Sequence, residues 1–170
     1  MISFDKENLF FLAQGSFGAV IMKMKQHSQS GPVVVKIIDE RSNDAETGQD
    51  YLEHELKVCE SIRSSSTPDA EALKSRSMLL RPCMIDSTLC GYLPYAEHGD
   101  LGQFLEKCED PNDLPKVLFG LPGIKDAIDF LHSGFNMIHS DLKVENILVT
   151  GELQLKITDW ALANGISLDG

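Results

Sequence analysis

Residues 139–146 read HSDLKVEN, and the triplet DWA begins at Asp159, thirteen positions after Asn146. In this stretch Asp141 is placed to accept a proton from an attacking hydroxyl, and Lys143 to neutralise a phosphoryl group in transfer. Asn146 and Asp159 offer the hard oxygen ligands that Mg²⁺ prefers. Together these four side chains predict chemistry on a phosphate with the help of a divalent cation.

The segment between Asn146 and Asp159 explains how two residues so far apart in the sequence can meet. It contains a short apolar run at 147–149, a turn-forming TGE at 150–152, and alternating apolar and polar residues at 153–158. That pattern predicts a β-hairpin. Because Asn146 enters the first strand and Asp159 leaves the second, strand pairing brings the two metal ligands to the same end.

The composition fits an ordinary globular chain and excludes several classes of protein. With 170 residues, 42% hydrophobic and 24% charged, the chain is long enough for one domain or for a piece of a larger one. A net charge of −11 argues against a nucleic-acid partner, because no dense Lys and Arg stripe is present to displace counterions. The four cysteines form no CxxC pair, which argues against structural zinc and favours reduced thiols.

The N-terminus is not a signal peptide, and no apolar run is long enough to cross a membrane. We therefore expect no membrane partner. The expected location is intracellular and soluble, in the cytoplasm or the nucleus.

The apolar pattern predicts a strand-rich first half followed by a helical second half. Strand-like runs at 8–38 surround a Gly-containing turn, and a helical period covers about 50–63. The further expected elements are an exposed insertion at 64–77, strands near 78–85 and 89–93, a helix at 101–107, a loop at 111–115, and a helix at about 116–132 whose start depends on Pro122 and Gly123.

Glu55 carries the most informative charge in the first half. It shares one helix face with Leu52, Cys59 and Ile62, so it points inward among apolar side chains. A carboxylate in that position is costly unless a cation pairs with it. Lys36, at the end of a valine run on the neighbouring strand, is the predicted partner.

A glycine-containing segment, QGSFGAV at 14–20, lies between two strand-like runs. Glycines let backbone N–H groups approach phosphates without side-chain obstruction. Taken alone, the segment favours an ordinary Gly-rich hairpin turn over a phosphate-binding loop.

In this order the elements resemble the eukaryotic-type protein kinase family, and the resemblance covers most of the chain. It implies an α+β, protein-kinase-like fold with an antiparallel β N-lobe that carries one helix, and a partial, mainly helical C-lobe. The implied divisions are the N-lobe at 1–93, a hinge at 94–99 and the partial C-lobe at 100–170.

The resemblance also implies a site for ATP and Mg²⁺, with Lys143 in the pattern of the serine/threonine type. It gives catalytic roles to Asp141, Lys143, Lys36 and Glu55, and metal-binding roles to Asn146 and Asp159. The further nucleotide contacts that it implies are Ala13, Gly15, Ser16, Phe17, Gly18, Val20, Lys36, Leu93, Pro94, Ala96 and Asp100.

Several positions depart from the family pattern without removing a charged catalytic group. Ala13 stands for the first loop glycine, Ser140 for the Arg that usually pairs with a phosphorylated activation loop, and Trp160-Ala161 for Phe-Gly. Only eleven residues follow Asp159 (170 − 159). We therefore expect an incomplete domain in which the apolar face of the 116–132 helix is exposed to aggregation or to a covering partner.

Three functions remain open at this point. The first is an ATP-dependent serine/threonine kinase that acts on a protein hydroxyl, although the short C-lobe counts against peptide phosphorylation by this chain alone. The second is a catalytically inactive, truncated mimic that binds or inhibits another kinase. The third is a small-molecule kinase, against which Lys143 and the spacing of Glu55 count. His139 is expected to pack and hydrogen-bond within its loop, not to act as a base.

Overall fold

The computed structural model of the chain describes residues 2–4, 7, 9–15, 19–24, 31–68 and 70–166. The chain divides into a first unit, residues 1–60 and 80–95, and a second unit, residues 61–79 and 96–170. The boundary between residues 95 and 96 lies within the segment 94–99, which was predicted to be the hinge. Residues 61–79, which the sequence places in the N-lobe, belong to the second unit because they include a helix that packs there.

The first unit is built on a six-stranded sheet with the order β1-β5-β6-β4-β3-β2. Its strands are β1 (Ile2–Ser3), β2 (Leu9–Gln14), β3 (Ala19–Met24), β4 (Val33–Ile38), β5 (Arg81–Ile85) and β6 (Thr88–Pro94). All neighbours are antiparallel except β1 and β5, which are parallel. Val33 and Val35 point into the core two residues apart, as the alternation of a strand requires.

A tight turn at Asp86 and Ser87 joins β5 to β6. Both residues have positive φ, 47° and 70°. Two central residues with positive φ define a type I′ turn, whose twist matches that of the flanking strands. The turn fixes the register, so that Ile85 pairs with Thr88 and Cys83 with Cys90.

Gly91 in β6 lies where no side chain fits. A Cβ added there would lie 2.4 Å from Leu80 Cδ2, and Leu80 is itself 1% exposed. We expect Gly91→Ala to lower the free energy of unfolding by about 1–3 kcal/mol, the usual cost of overpacking. Chemical denaturation measures the change. In a Leu80→Ala background the same substitution should cost less, and equal costs in both backgrounds would contradict the steric explanation.

Most of one long helix belongs to the first unit. It is α1 (Ala45–Ser64), which begins about five residues before the predicted start. Glu46 lies in the first turn of α1 and favours a helix start at Ala45, because an acidic side chain interacts well with the helix N-terminus. Leu52, Glu55 and Cys59 are buried along one face, as the sequence predicts.

The second unit contains short helices and two small sheets. The helices are α2 (Ala70–Ser75), α3 (Leu101–Lys107), α4 (Asp113–Leu118) and α5 (Leu121–Phe135). The strands are β7 (Met137–Ile138), β8 (Ile147–Val149), β9 (Leu155–Ile157) and β10 (Asn164–Gly165). β8 pairs with β9 and β7 pairs with β10, both antiparallel. The hairpin predicted between Asn146 and Asp159 is confirmed.

The structure corrects three expectations for this half of the chain. The segment 64–77 is exposed only in part: residues 64–68 are largely exposed, whereas α2 packs on α5 and buries Leu73 completely. The predicted loop at 111–115 overlaps α4. The predicted helix at 116–132 is two helices, separated at Phe119 and Gly120, since Pro122 favours the first turn of a new helix.

The apolar face of α5 is also less exposed than expected. Ile124, Ala127 and Leu131 are buried. Apolar exposure remains at the turn between α4 and α5, where Phe119 is 88% exposed beside Leu118 and Leu121. The expected exposed patch is therefore confined to this turn.

Within the described part of the chain, no helix has both the length and the apolar character needed to cross a bilayer.

Candidate active site

Lys36 and Glu55 form a buried ion pair in the first unit. Lys36 lies in β4, in register with Ile21 on one side and Gly91 on the other. Its Nζ is 2.7 Å from Glu55 Oε2, and the two side chains are 17% and 3% exposed. Each charge offsets the desolvation of the other. The ion pair predicted from the helical spacing of Glu55 is confirmed.

The glycine-containing segment joins β2 to β3. Ala13 pairs with Ile21, and the Gly15 N–H donates to the Ala19 carbonyl at 2.9 Å. A Cβ on Gly15 would lie 3.3 Å from Ala19 Cβ, so glycine allows the two strands to approach closely here. Val20 lies in β3 opposite Gln14. The other predicted contacts, Ser16, Phe17 and Gly18, lie outside the described residues.

Four of the predicted nucleotide contacts, Leu93, Pro94, Ala96 and Asp100, lie at the end of β6 and after it. Leu93 and Pro94 are the last two residues of that strand, Leu93 is partly buried, and Ala96 is buried. Asp100 is the N-cap of α3 and accepts a hydrogen bond from the Gln103 N–H at 2.9 Å. Helix capping therefore already occupies one carboxylate oxygen of Asp100.

Asp141 is the centre of a compact cluster in the second unit. Lys143 Nζ and Asn146 Nδ2 each donate to Asp141 Oδ2 at 2.8 Å. Asn146 Nδ2 also donates to the Asp141 carbonyl at 2.8 Å. Both side-chain bonds fall on the same oxygen, so within the described part of the chain Asp141 Oδ1 has no hydrogen-bond donor. That oxygen is free to accept a hydrogen bond from a substrate hydroxyl.

His139 connects this cluster to the segment that carries Asp159. Its Nε2 lies 3.0 Å from the Thr158 carbonyl, and its Nδ1 accepts from the Asp141 N–H at 3.4 Å. The Thr158 N–H in turn donates to the Asn146 carbonyl at 3.0 Å. With the bonds between Asn146 and Asp141, these contacts form a closed hydrogen-bonded circuit. His139 is buried and packs on Trp160, with ring centroids 4.8 Å apart.

Sequence reasoning identified His139 as a packing and hydrogen-bonding residue, but it did not identify Thr158. The main chain of Thr158 makes the contacts, through one N–H and one C=O. Residue type carries no signal for such a role. Its position directly before Asp159 was the only available indication.

The charged side chains of the cluster hold each other ionised. The hydrogen bond from Lys143, assisted by that from Asn146, lowers the pKa of the Asp141 carboxyl. The same bond to Asp141 raises the pKa of the Lys143 ammonium, and the charges of Asp141 and Asp159 raise it further. Asp141 is thus a carboxylate and Lys143 an ammonium throughout the neutral pH range.

Two residues that are sequence neighbours of the circuit, Ser140 and Asp159, adopt left-handed backbone conformations. Ser140 has φ of 66° and Asp159 has φ of 61°. Residues other than glycine are rarely held there unless the surrounding structure fixes them, and such positions concentrate at active sites. In this chain the circuit through His139 and Thr158 supplies that fixation on both sides.

The oxygen donors of Asn146 and Asp159 suit a hard divalent cation. Asn146 uses its amide nitrogen for both bonds to Asp141, which leaves its Oδ1 for a metal. Among the described residues no group of three or more His, Cys, Asp or Glu could hold a metal ion. Mg²⁺ does not require one, because it commonly binds one or two protein oxygens and completes its shell with water and phosphate oxygens.

The burial of His139 predicts a pH dependence of stability. Desolvation lowers its pKa below the ordinary 6.5, and the hydrogen bond to the Thr158 carbonyl only partly opposes this. Between that lowered pKa and 6.5 the unfolded chain binds a proton that the folded chain does not. The stabilisation is therefore complete above 6.5 and is lost as the pH falls.

We expect the wild-type free energy of unfolding to decrease between about pH 7 and about pH 5 more steeply than that of His139→Gln. Chemical denaturation at each pH measures the two slopes. His132→Gln, at an exposed position of α5, is the matched control and should retain the wild-type slope. A His139→Gln slope equal to that of the wild type would refute the assignment.

Comparison with known proteins extends over nearly the whole chain. A family model described as protein tyrosine and serine/threonine kinase matches residues 8–169. The chain is 28% identical to the 3-phosphoinositide-dependent protein kinase 1 of Rattus norvegicus in an alignment of 166 residues. This alignment covers 93% of the chain and 26% of the relative. The chain is 38% identical to the serine/threonine-protein kinase PKH2 of Saccharomyces cerevisiae over 78 residues. This alignment covers 46% of the chain and 7% of the relative.

Proposed function

Because the chain belongs to the protein tyrosine and serine/threonine kinase family, we propose that it binds ATP with Mg²⁺ and transfers the γ-phosphate to a serine or threonine hydroxyl of a protein. The cluster around Asp141 is the observation that carries this proposal. It holds a carboxylate with one open oxygen next to an ammonium and an amide oxygen. Those are the groups that phosphoryl transfer to a hydroxyl needs.

Asp141 orients the substrate hydroxyl in this mechanism. Its pKa is lowered, so it is a weak base. It therefore accepts a hydrogen bond from the hydroxyl and takes the proton late, as the oxygen bonds to phosphorus. Lys143, fixed on the other carboxylate oxygen, contributes positive charge to the phosphoryl group in transfer. Most of the rate enhancement over the uncatalysed reaction comes from positioning of the reactants and from electrostatic stabilisation of the transition state.

Lys36 is assigned to the α and β phosphates. Glu55 holds its ammonium in place from a distance of 2.7 Å and keeps it charged although it is largely buried. Asn146 and Asp159 are the residues that would hold Mg²⁺. When bound, the metal neutralises phosphate charge and orients the phosphates.

The serine/threonine assignment and the protein substrate rest on two observations. Lys143 stands two residues after Asp141, the pattern of the serine/threonine type. Both relatives are named as protein kinases, and the name of one specifies serine and threonine. This favours a protein hydroxyl over the small-molecule alcohol that the sequence left open. The chain spans about a quarter or less of the length of these relatives, so the activity of the whole protein is part of the proposal.

A catalytically inactive kinase-like protein is the second candidate. Ser140 stands where the family pattern has the arginine that usually pairs with a phosphorylated activation loop, so activation by that route is not expected. All the charged residues to which catalytic or metal-binding roles are assigned are present, which favours catalysis: Lys36, Glu55, Asp141, Lys143 and Asp159.

Nucleotide titration followed by phosphotransfer separates the two. We expect calorimetry to show ATP binding that strengthens with Mg²⁺, and label from γ-labelled ATP to appear on a generic basic protein. Asn146→Ala should lose the Mg²⁺ enhancement, whereas Asn112→Ala, at an exposed position before α4, should retain it. Binding without transfer supports the inactive candidate. Transfer to a small alcohol but to no protein would overturn the substrate assignment, and absence of ATP binding would overturn both candidates.

A further inference from the structure

Two cysteines face each other in the core of the first unit. Cys83 in β5 and Cys90 in β6 are direct cross-strand partners. Directly opposed residues point to the same face of a sheet. Both are free and fully buried, packed with Val35, Ile85 and their neighbours. No role proposed above uses them.

We propose that Cys83 and Cys90 form a redox couple, which peroxide oxidises to a disulfide across the β5–β6 hairpin and a dithiol reduces again. The register supports this directly. In a two-residue hairpin the pair next to the turn, Ile85 and Thr88, is hydrogen-bonded, and such pairs alternate along the ladder. Cys83 and Cys90 are therefore a hydrogen-bonded pair, with Cα atoms about 5.5 Å apart. Disulfides span about 4.4–6.8 Å between Cα atoms.

The same register predicts that the bond is easily reduced. Opposed Cβ atoms in a sheet lie about 4.5–5.5 Å apart. A disulfide prefers about 3.8 Å. The strands must approach each other for the bond to close, and a strained disulfide has a more oxidising potential than a structural one. The couple is thus suited to reversible modification and not to permanent stabilisation.

The two sulfurs are not chemically equivalent. The Cys90 thiol donates to the Thr88 carbonyl at 3.4 Å. The neighbouring Cys83 lowers the pKa of Cys90, and Cys90 raises the pKa of Cys83. Cys90 is accordingly the first nucleophile, since the thiolate is the reactive form.

The Cys90 thiolate attacks one peroxide oxygen, the O–O bond breaks, and the departing hydroxide takes up a proton to become water. The product is a Cys90 sulfenic acid. The sulfur of Cys83 then attacks the Cys90 sulfur, the S–O bond breaks, and the oxygen leaves as a second water with the proton of Cys83. Two thiols and one peroxide give one disulfide and two waters.

Access to the couple is restricted, which makes the reaction slow but selective. Among the described residues, the two-residue β1 and Phe4 lie along the edge of β5, and the Phe4 N–H donates to the Met84 carbonyl at 3.0 Å. Phe4 also packs edge-on against Tyr92, with ring centroids 5.3 Å apart. Short edge strands open at low cost in free energy. Oxidation is expected to follow this local opening.

Mass spectrometry of the purified full chain tests the couple. The folded protein is treated with hydrogen peroxide, denatured, alkylated and digested with trypsin. Trypsin does not cut before Pro82, so the peptide 77–107 contains Cys83 and Cys90 and neither of the other two cysteines. We expect that peptide to carry no alkyl group and to be two hydrogen atoms lighter than its unalkylated dithiol form. After reduction with dithiothreitol, both cysteines should become alkylatable again. Circular dichroism during the treatment verifies that the chain stays folded.

Two variants complete the design. In Cys83→Ala, Cys90 should remain an alkylatable thiol or be oxidised to a sulfenic or higher acid. The peptide should show no intramolecular disulfide. Cys108→Ala removes a partly exposed thiol of the second unit and should leave the couple unchanged. If Cys83→Ala fails to fold, the wild-type peptide still decides. The proposal is overturned if Cys83 and Cys90 remain alkylatable in folded, oxidised protein, or if either pairs with Cys59 or Cys108.

Discussion

Lys36→Met is expected to abolish measurable phosphotransfer and to lower the free energy of unfolding by about 3 kcal/mol. The ammonium assigned to the nucleotide phosphates is lost, so activity disappears. Stability falls because the Glu55 carboxylate, 3% exposed, loses the cation that balances its desolvation. Phosphotransfer assays and chemical denaturation measure the two effects separately.

A second substitution separates the structural effect from the catalytic one. The double variant Lys36→Met with Glu55→Leu replaces the ion pair by two apolar side chains, a change that is often neutral for stability. We expect it to regain most of the lost stability and none of the activity. Lys57→Met, at an exposed position of α1, is the matched control and should change neither. Full activity in Lys36→Met would refute the phosphate role.

Asp141→Asn is expected to lower kcat by about 10²–10⁴-fold while leaving ATP affinity and stability nearly unchanged. The amide oxygen can occupy the position of Oδ2 and keep the bonds from Lys143 and Asn146, both 2.8 Å in the wild type. The amide nitrogen then replaces Oδ1, and it cannot accept a proton from a hydroxyl. The loss should therefore lie in the transfer step alone.

Single-turnover phosphotransfer and calorimetric ATP binding test that separation. Asp129→Asn, which alters an exposed ion pair on α5, serves as the matched control and should retain the wild-type kcat. If Asp141→Asn weakened ATP binding as strongly as it slowed transfer, Asp141 would be acting through the nucleotide site and not on the hydroxyl.

The parts of the site that the sequence predicted well are those governed by local periodicity. The face shared by Leu52, Glu55 and Cys59 predicted the ion pair, because a charge on an apolar helix face needs a partner. The apolar runs on either side of the turn at 150–152 predicted the β8–β9 hairpin, because alternation and turn chemistry act over a few residues.

The parts that sequence reasoning missed depend on contacts between distant segments. The segment 64–77 has the composition of a polar, Ser-rich insertion, and only the packing of α2 on α5 makes Leu73 a core residue. The role of Thr158 lies in its backbone, which no residue type reveals. The family resemblance, not the spacing alone, supplied the predicted contacts at Leu93, Ala96 and Asp100. The roles of those residues remain predictions.

The circuit that joins His139, Thr158, Asn146 and Asp141 has a consequence for motion. A ring of bonds cannot open at one member without loosening the next, so these loops should unfold locally as one cooperative element. The amide hydrogens of Asp141, Asn146 and Thr158 should then show one common protection factor against exchange with deuterated solvent. A substitution that breaks any one link would speed exchange at all three.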